Sequence, residues 1–261
     1  MNLFIEGLQG SGKSTLARKL YEKFPNYKRF VEGDISPVEL SWCAYVKEDD
    51  FQKIIEKYPD IEDEIKKWSI LEDEYRIIAY LRILTEYTDF HREMEKFEIY
   101  NGNKSFVEFQ NIIFKRYSNF YDDNNIFECS FFQNIIDTMI LYYKMSYDEI
   151  LNFYEKLWDK INNKDCFRLI YIDSENIEKN LLQICDERVD ERGNKIWLKL
   201  MLDYLKNSPY GKEQNIQSFF DMIKYFEFRR NTEIKIINHI IKNNTIILKS
   251  KEYNENLDFI K

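Results

Sequence analysis

Three of the chain's seven glycines, Gly7, Gly10 and Gly12, fall within a stretch of six residues. They belong to the run Leu3-Phe4-Ile5-Glu6-Gly7-Leu8-Gln9-Gly10-Ser11-Gly12-Lys13-Ser14-Thr15, which matches the phosphate-binding pattern G-x-x-x-x-G-K-[ST] without a mismatch. Asn2 to Glu6 reads as a short buried strand, and Thr15 to Phe24 as a helix stopped by Pro25. In such a turn the backbone N–H groups point inward and approach phosphate oxygens more closely than side chains would permit. Lys13 adds a positive charge at the terminal phosphates, and the Ser14 hydroxyl completes the shell of a magnesium ion. At average residue usage, a chance match in a chain this long has odds of about one in a hundred. The run therefore predicts a nucleoside triphosphate site built from Gly7, Gly10, Ser11, Gly12, Lys13, Ser14 and Thr15.

With 261 residues, the chain is long enough for one large α/β domain. Its net charge of −8 argues against nucleic acid as a bulk electrostatic partner. No apolar run reaches the roughly 20 residues that span a bilayer, so no membrane partner is expected. The N-terminus enters the first strand directly, which leaves no room for a signal peptide. Cys43, Cys129, Cys166 and Cys185 are widely spaced, with no C-x-x-C pair. These features predict a cytoplasmic protein with reduced thiols.

Further strand-length apolar runs occur at Lys28–Val31, Asn125–Cys129, Phe167–Ile172 and Thr245–Leu248, separated by helical patterns. Parallel β-α-β units follow from that alternation. The interval from Pro37 to Phe120 shows no clear strand and reads as a helical insertion, including a helix with Ile77, Leu81, Leu84, His91 and Met94 on one face. A second long helix is expected from about Gln214 to Ile241, with Phe219, Ile223, Phe226, Ile234 and Ile237 on a stripe that Arg230 interrupts. No linker composition divides the chain, so the simplest account is a single domain over residues 1–261.

A phosphate loop serves many chemistries, and the rest of the sequence must choose among them. Asn163-Lys164-Asp165 has the wrong spacing for a guanine-reading N-K-x-D, and Asp190-Glu191-Arg192-Gly193 follows a helix in a highly charged stretch. Neither supports a GTPase. The opening segment closely resembles that of the deoxynucleoside kinases and thymidylate kinases, and the resemblance continues at Phe30-Val31-Glu32-Gly33-Asp34-Ile35-Ser36-Pro37, with Trp42 shortly after. It implies a three-layer phosphate-loop fold with a parallel five-stranded sheet of order 2-3-1-4-5. It also implies ATP- and magnesium-dependent phosphorylation of a hydroxyl on a small-molecule acceptor, most simply a nucleoside or nucleotide, and leaves a homodimer open.

Carried over residue by residue, Glu32 or Asp34 would accept the acceptor's proton and Trp42 would wall its pocket. The simpler role for the two acids is to cap a helix after Ser36. Ile126-Phe127-Glu128-Cys129-Ser130 is similar to the E-R-S segment of one family and the D-R segment of the other, which gives Glu128 to magnesium or the acceptor. Cys129 stands where both carry arginine, and a cysteine supplies no fixed charge to an acceptor phosphate, which favours a hydroxyl-bearing acceptor. Asp173, ending another apolar run, reads as a cap for the helix beginning near Asn176. The segment from about 186 to 195 lies where these kinases carry a lid, and Arg188 and Arg192, four residues apart, would share a helix face over the γ-phosphate. Two alternatives remain: a nucleotide-responsive regulatory protein, and an antibiotic- or metabolite-modifying phosphotransferase.

Overall fold

Every residue of the first strand, β1 (Asn2–Gly7), is buried, as a strand covered on both faces of a parallel sheet must be. The computed structural model describes residues 1–250 and Leu257. After β1 come α1 (Lys13–Lys23), β2 (Lys28–Phe30), β3 (Ala44–Lys47), α2 (Glu48–Lys57), α3 (Glu62–Lys67), β4 (Ser69–Glu72), β5 (Tyr75–Ile78), α4 (Phe90–Met94) and α5 (Phe106–Asn119). The chain continues through β6 (Asn125–Glu128), α6 (Gln133–Leu141), α7 (Tyr147–Lys160), β7 (Phe167–Asp173) and α8 (Ile177–Glu187). It closes with α9 (Ile196–Asn207), α10 (Pro209–Glu213), α11 (Phe219–Ile236) and β8 (Thr245–Lys249). No helix among the described residues is long and apolar enough to cross a membrane.

The contacts divide the chain into two compact units, residues 1–29 with 121–261, and residues 30–120. In the first, a five-stranded parallel sheet runs in the order β2-β6-β1-β7-β8. Counted over this sheet alone the order is 2-3-1-4-5, as the resemblance implies. β1 lies at its centre, in register with β6 from Asn2 opposite Asn125 and with β7 from Asn2 opposite Phe167. Leu3 and Ile5 on β1 pack with Leu16 and Leu20 of α1, Ile126 of β6 and Ile170 and Ile172 of β7. Phe4 turns to the other face, where its ring stacks on Phe127 and Phe167 at centroid distances of 4.8 and 4.2 Å.

The second unit departs from the expected helical insertion. It contains a three-stranded antiparallel sheet of order β3-β5-β4, and Ile77, expected on a helix, pairs with Tyr45 and Ile70 within it. The reason lies at Asp73, whose positive φ of 55° turns the chain in a tight hairpin between β4 and β5. Acidic residues on both sides of that turn hide the strand signal. Of the residues assigned to that expected helix face, His91 and Met94 lie on the short α4, while Leu84 is exposed. The core of this unit gathers Val46, Phe51, Ile54, Tyr58, Ile78, Tyr80, Phe90 and Met94.

Candidate functional site

The glycines of the β1–α1 turn all have positive φ: 141° at Gly7, 74° at Gly10 and 104° at Gly12. A Cβ on Gly7 would come within 2.4 Å of the Ile172 carbonyl oxygen, and one on Gly10 within 2.2 Å of the Ile184 side chain. Both positions therefore require glycine on two counts, backbone angle and space. The buried Lys13 folds back over the turn and donates to the carbonyls of Gly7 and Leu8, each at 2.9 Å. The Ser14 hydroxyl donates to the Glu128 carboxylate, which ends β6 and is itself buried. The structure thus brings Glu128 to the start of α1, as expected from the sequence. The buried Ser11 hydroxyl has no hydrogen-bond partner among the described residues.

Charge is concentrated beneath this turn. Glu6 is fully buried, and burial pushes its carboxyl up to about 7, against the pull of the Phe131 N–H, which donates to it at 2.5 Å, and of Lys13. Arg229 of α11 is also fully buried, donating to Glu233 at 2.9 Å, Asp137 at 3.0 Å and the Gln9 side chain at 3.0 Å. Against burial, which acts the other way, Asp137 and Glu233 hold its guanidinium charged. Tyr225 donates to Asp137, and Tyr171 of β7 to Glu233 at 2.7 Å. The sequence reading missed Arg229 and Glu233. Their signal was an Arg–Glu pair at i,i+4 on a helix stripe continuing Met222 and Tyr225 toward Ile236, one residue out of phase with the stripe expected. Arg230, on the neighbouring face, forms a two-pronged pair with Asp173 at 2.5 and 2.6 Å.

That pair corrects the reading of Asp173 as a helix cap. Asn176 caps α8 instead, accepting from the Lys179 N–H at 2.9 Å. Beside the turn, a cleft of about 340 Å³ is lined by residues from the end of β7, α8 and the end of β8. Two of them, Ser174 and Asn180, are buried and leave Ser174 Oγ and Asn180 Oδ1 without a hydrogen-bond partner among the described residues. The cleft adjoins the turn directly, since Ser250 donates to the Ser11 carbonyl at 3.0 Å and Asn180 Nδ2 to the Gln9 carbonyl at 2.7 Å.

Arg188 and Arg192 do not share a helix face. Arg188 is the C-terminal cap of α8, and the next residues form a small hairpin closed by a bridge between Val189 and Lys195. The Asp190 carboxylate organises it, accepting from the backbone N–H groups of Arg192 and Asn194 at 2.9 and 2.8 Å, and Gly193 supplies its positive φ of 79°. Both arginines are exposed.

Within the second unit, no helix follows Ser36, so neither Glu32 nor Asp34 caps one. Asp34 braces its own loop, accepting from the Val31 N–H at 2.9 Å and pairing with Arg82. Trp42 is 41% exposed with a φ of 58°, so it is no core residue. Cys129 is buried and also left-handed, with a φ of 59°, where its N–H donates to the Ile5 carbonyl at 3.2 Å. No protein-family model matches this chain, and no curated protein sequence matches it significantly.

Proposed function

We propose that the chain is a magnesium-dependent phosphotransferase that takes its phosphoryl group from a nucleoside triphosphate held at the β1–α1 turn. The observation that carries this reading is the conjunction of three parts at one place: glycines with positive φ, a buried lysine, and a serine hydroxyl paired with a buried carboxylate. The residues fit the nucleotide. A turn that excludes Cβ atoms lets backbone N–H groups approach phosphate oxygens, and Ser11 Oγ is a buried hydroxyl without a hydrogen-bond partner among the described residues. They also fit the metal. Among the described residues no three His, Cys, Asp or Glu side chains gather to hold an ion. Magnesium needs no such cage, because it typically takes one or two protein ligands and completes its shell with substrate phosphates and water. Ser14 and Glu128 would hold it, and the ion would neutralise charge on the transferring phosphate.

Lys13 would leave the Gly7 and Leu8 carbonyls for the terminal phosphates, where a fixed charge counts most in phosphoryl transfer. The cleft along α8 suits the nucleoside end, since Asn180 Oδ1 accepts and Ser174 Oγ donates or accepts hydrogen bonds. A hydroxyl on a small molecule, nucleosides and nucleotides first, is the proposed acceptor, consistent with Cys129 in place of a charged residue.

The test is ADP release from ATP with and without a panel of nucleosides, nucleotides and other hydroxylated metabolites. Stimulation by one acceptor, with a stoichiometric phosphorylated product, supports the proposal. Tight ATP binding that no acceptor accelerates would overturn it in favour of a nucleotide-responsive regulatory protein.

A further inference from the structure

The middle residue of the glycine-rich turn is gripped twice. Gln9 offers its side-chain oxygen to Arg229 of α11 at 3.0 Å and its backbone carbonyl to Asn180 of α8 at 2.7 Å. We infer that Arg229 and Asn180 are positioning residues that fix the turn in its phosphate-receiving form through Gln9, an inference that rests on the reading of that turn as a triphosphate site. Neither residue was assigned a role by the phosphate-binding pattern.

A turn with three glycines has more backbone freedom than any other segment of its length, and that freedom must be given up when it wraps a phosphate chain. Holding its central residue beforehand lowers the ordering cost at binding. The tether is stiff because Arg229 is immobile. Its guanidinium is fully buried between two carboxylates, Asp137 from α6 and Glu233 from α11 itself. Glu233 in turn accepts from Tyr171 on β7, a strand paired directly with β1. Through this chain of bonds the turn is referred to the sheet from which it springs. Arg229 Nη2, also buried, has no hydrogen-bond partner among the described residues, while the other guanidinium nitrogens are committed to Glu233, Asp137 and Gln9.

Asn180 adds a second constraint of a different kind. Its amide holds the Gln9 backbone while Ile184, one turn along α8, fills the space over Gly10. Gln9 is therefore located by a charged donor on its side chain and a neutral donor on its main chain.

The decisive variant is Gln9→Leu, which removes the side-chain tether and leaves Arg229, Asp137 and Glu233 paired with one another. Equilibrium titration with Mg·ATP and with Mg·GTP, thermal unfolding, and amide exchange across residues 7–14 are the readouts. Loss of the bonds that join the Gln9 side chain to Arg229 and Asp137 predicts an affinity about tenfold weaker for whichever triphosphate the wild type binds. Exchange in the turn should accelerate while β1 and α1 stay protected and the melting temperature moves little. Arg229→Lys keeps the charge but loses the fork, and in the double variant the affinity should fall no further than in the worse single one. Unchanged affinity and exchange in Gln9→Leu, with wild-type binding intact, would overturn the inference alone, as would additive losses in the double variant. A wild-type protein that binds neither triphosphate would overturn the reading of the turn, and the inference with it.

Discussion

The β1–α1 turn and the loop from 31 to 42 were both expected to carry chemistry, and they are built in opposite ways. In the turn, Gly7 and Gly10 are held by space as well as by backbone angle. A Cβ added to Gly7 would meet the Ile172 carbonyl oxygen at 2.4 Å, and the polar groups beneath the turn are buried and joined in one network. In the loop, Gly33 has a positive φ of 87°, yet an added Cβ would meet nothing nearer than 3.5 Å, from the Leu81 side chain. The carboxylate of Asp34 is held by a partly exposed arginine and by the backbone N–H of Val31. A functional element specified by its neighbours on every side has little latitude in sequence. One specified mainly by its own turn chemistry has a great deal.

The contrast can be broken most severely at Lys13. Lys13→Ala should lower acceptor-dependent turnover by about 10²-fold or more, as removal of a fixed transition-state charge does, with a small change in melting temperature. Equal turnover in an ADP-release assay would remove the turn from catalysis. On the side of the loop, Glu32→Gln should cost about 10²-fold in turnover if Glu32 is the proton acceptor. Asp34→Asn should cost far less, because Asp34 is already committed to Arg82 and Val31. If both variants turn over normally, the loop takes no part in proton transfer.

Stability separates the two regions next. Gly7→Ala should destabilise the fold by about 3 kcal/mol or more in denaturant titrations, combining backbone strain with a steric clash. Gly33→Ala should cost about 1 kcal/mol, from strain alone. Equal losses would show that the turn is no more tightly built than the loop.

A pH dependence is expected within the second unit. Burial pushes the Glu39 carboxyl up to about 8 and that of Glu98 up to about 7. Glu39 accepts from the Ser41 N–H and hydroxyl at 2.5 and 2.8 Å. The folded chain therefore keeps protons that the unfolded chain releases above the ordinary carboxylate range, so unfolding releases protons across that window. The stabilisation is complete below about pH 4.5 and is lost as pH rises through about 8. Melting temperature should fall between about pH 4.5 and about pH 8, and Glu39→Gln should flatten that fall. An identical pH profile in the variant would show that Glu39 ionises without consequence.

What could be read from the sequence follows the same division. The strand, glycine turn and helix at residues 2–23 are determined locally, and each later strand of the parallel sheet falls on one of the short runs read from the sequence. Glu128 was found because it ends such a run. The hairpin at β4–β5 was hidden because its turn rests on Asp73 in a left-handed conformation rather than on glycine. The tie from Arg229 to Asp137 was hidden for another reason: it joins α11 to α6, far apart in the chain, and no local pattern records that pairing. The acidic segment around Arg188 and Arg192 suggested a helix by spacing, but Asp190 and Gly193 fold it into a hairpin.

The account depends before anything else on the β1–α1 turn receiving a triphosphate with its metal. Calorimetric titration of Mg·ATP and Mg·GTP into the wild-type chain and into Lys13→Ala tests that directly. The account predicts saturable binding of at least one triphosphate by the wild type, weakened on removal of magnesium and lost in Lys13→Ala. Binding of neither triphosphate, or binding that Lys13→Ala leaves unchanged, would contradict it.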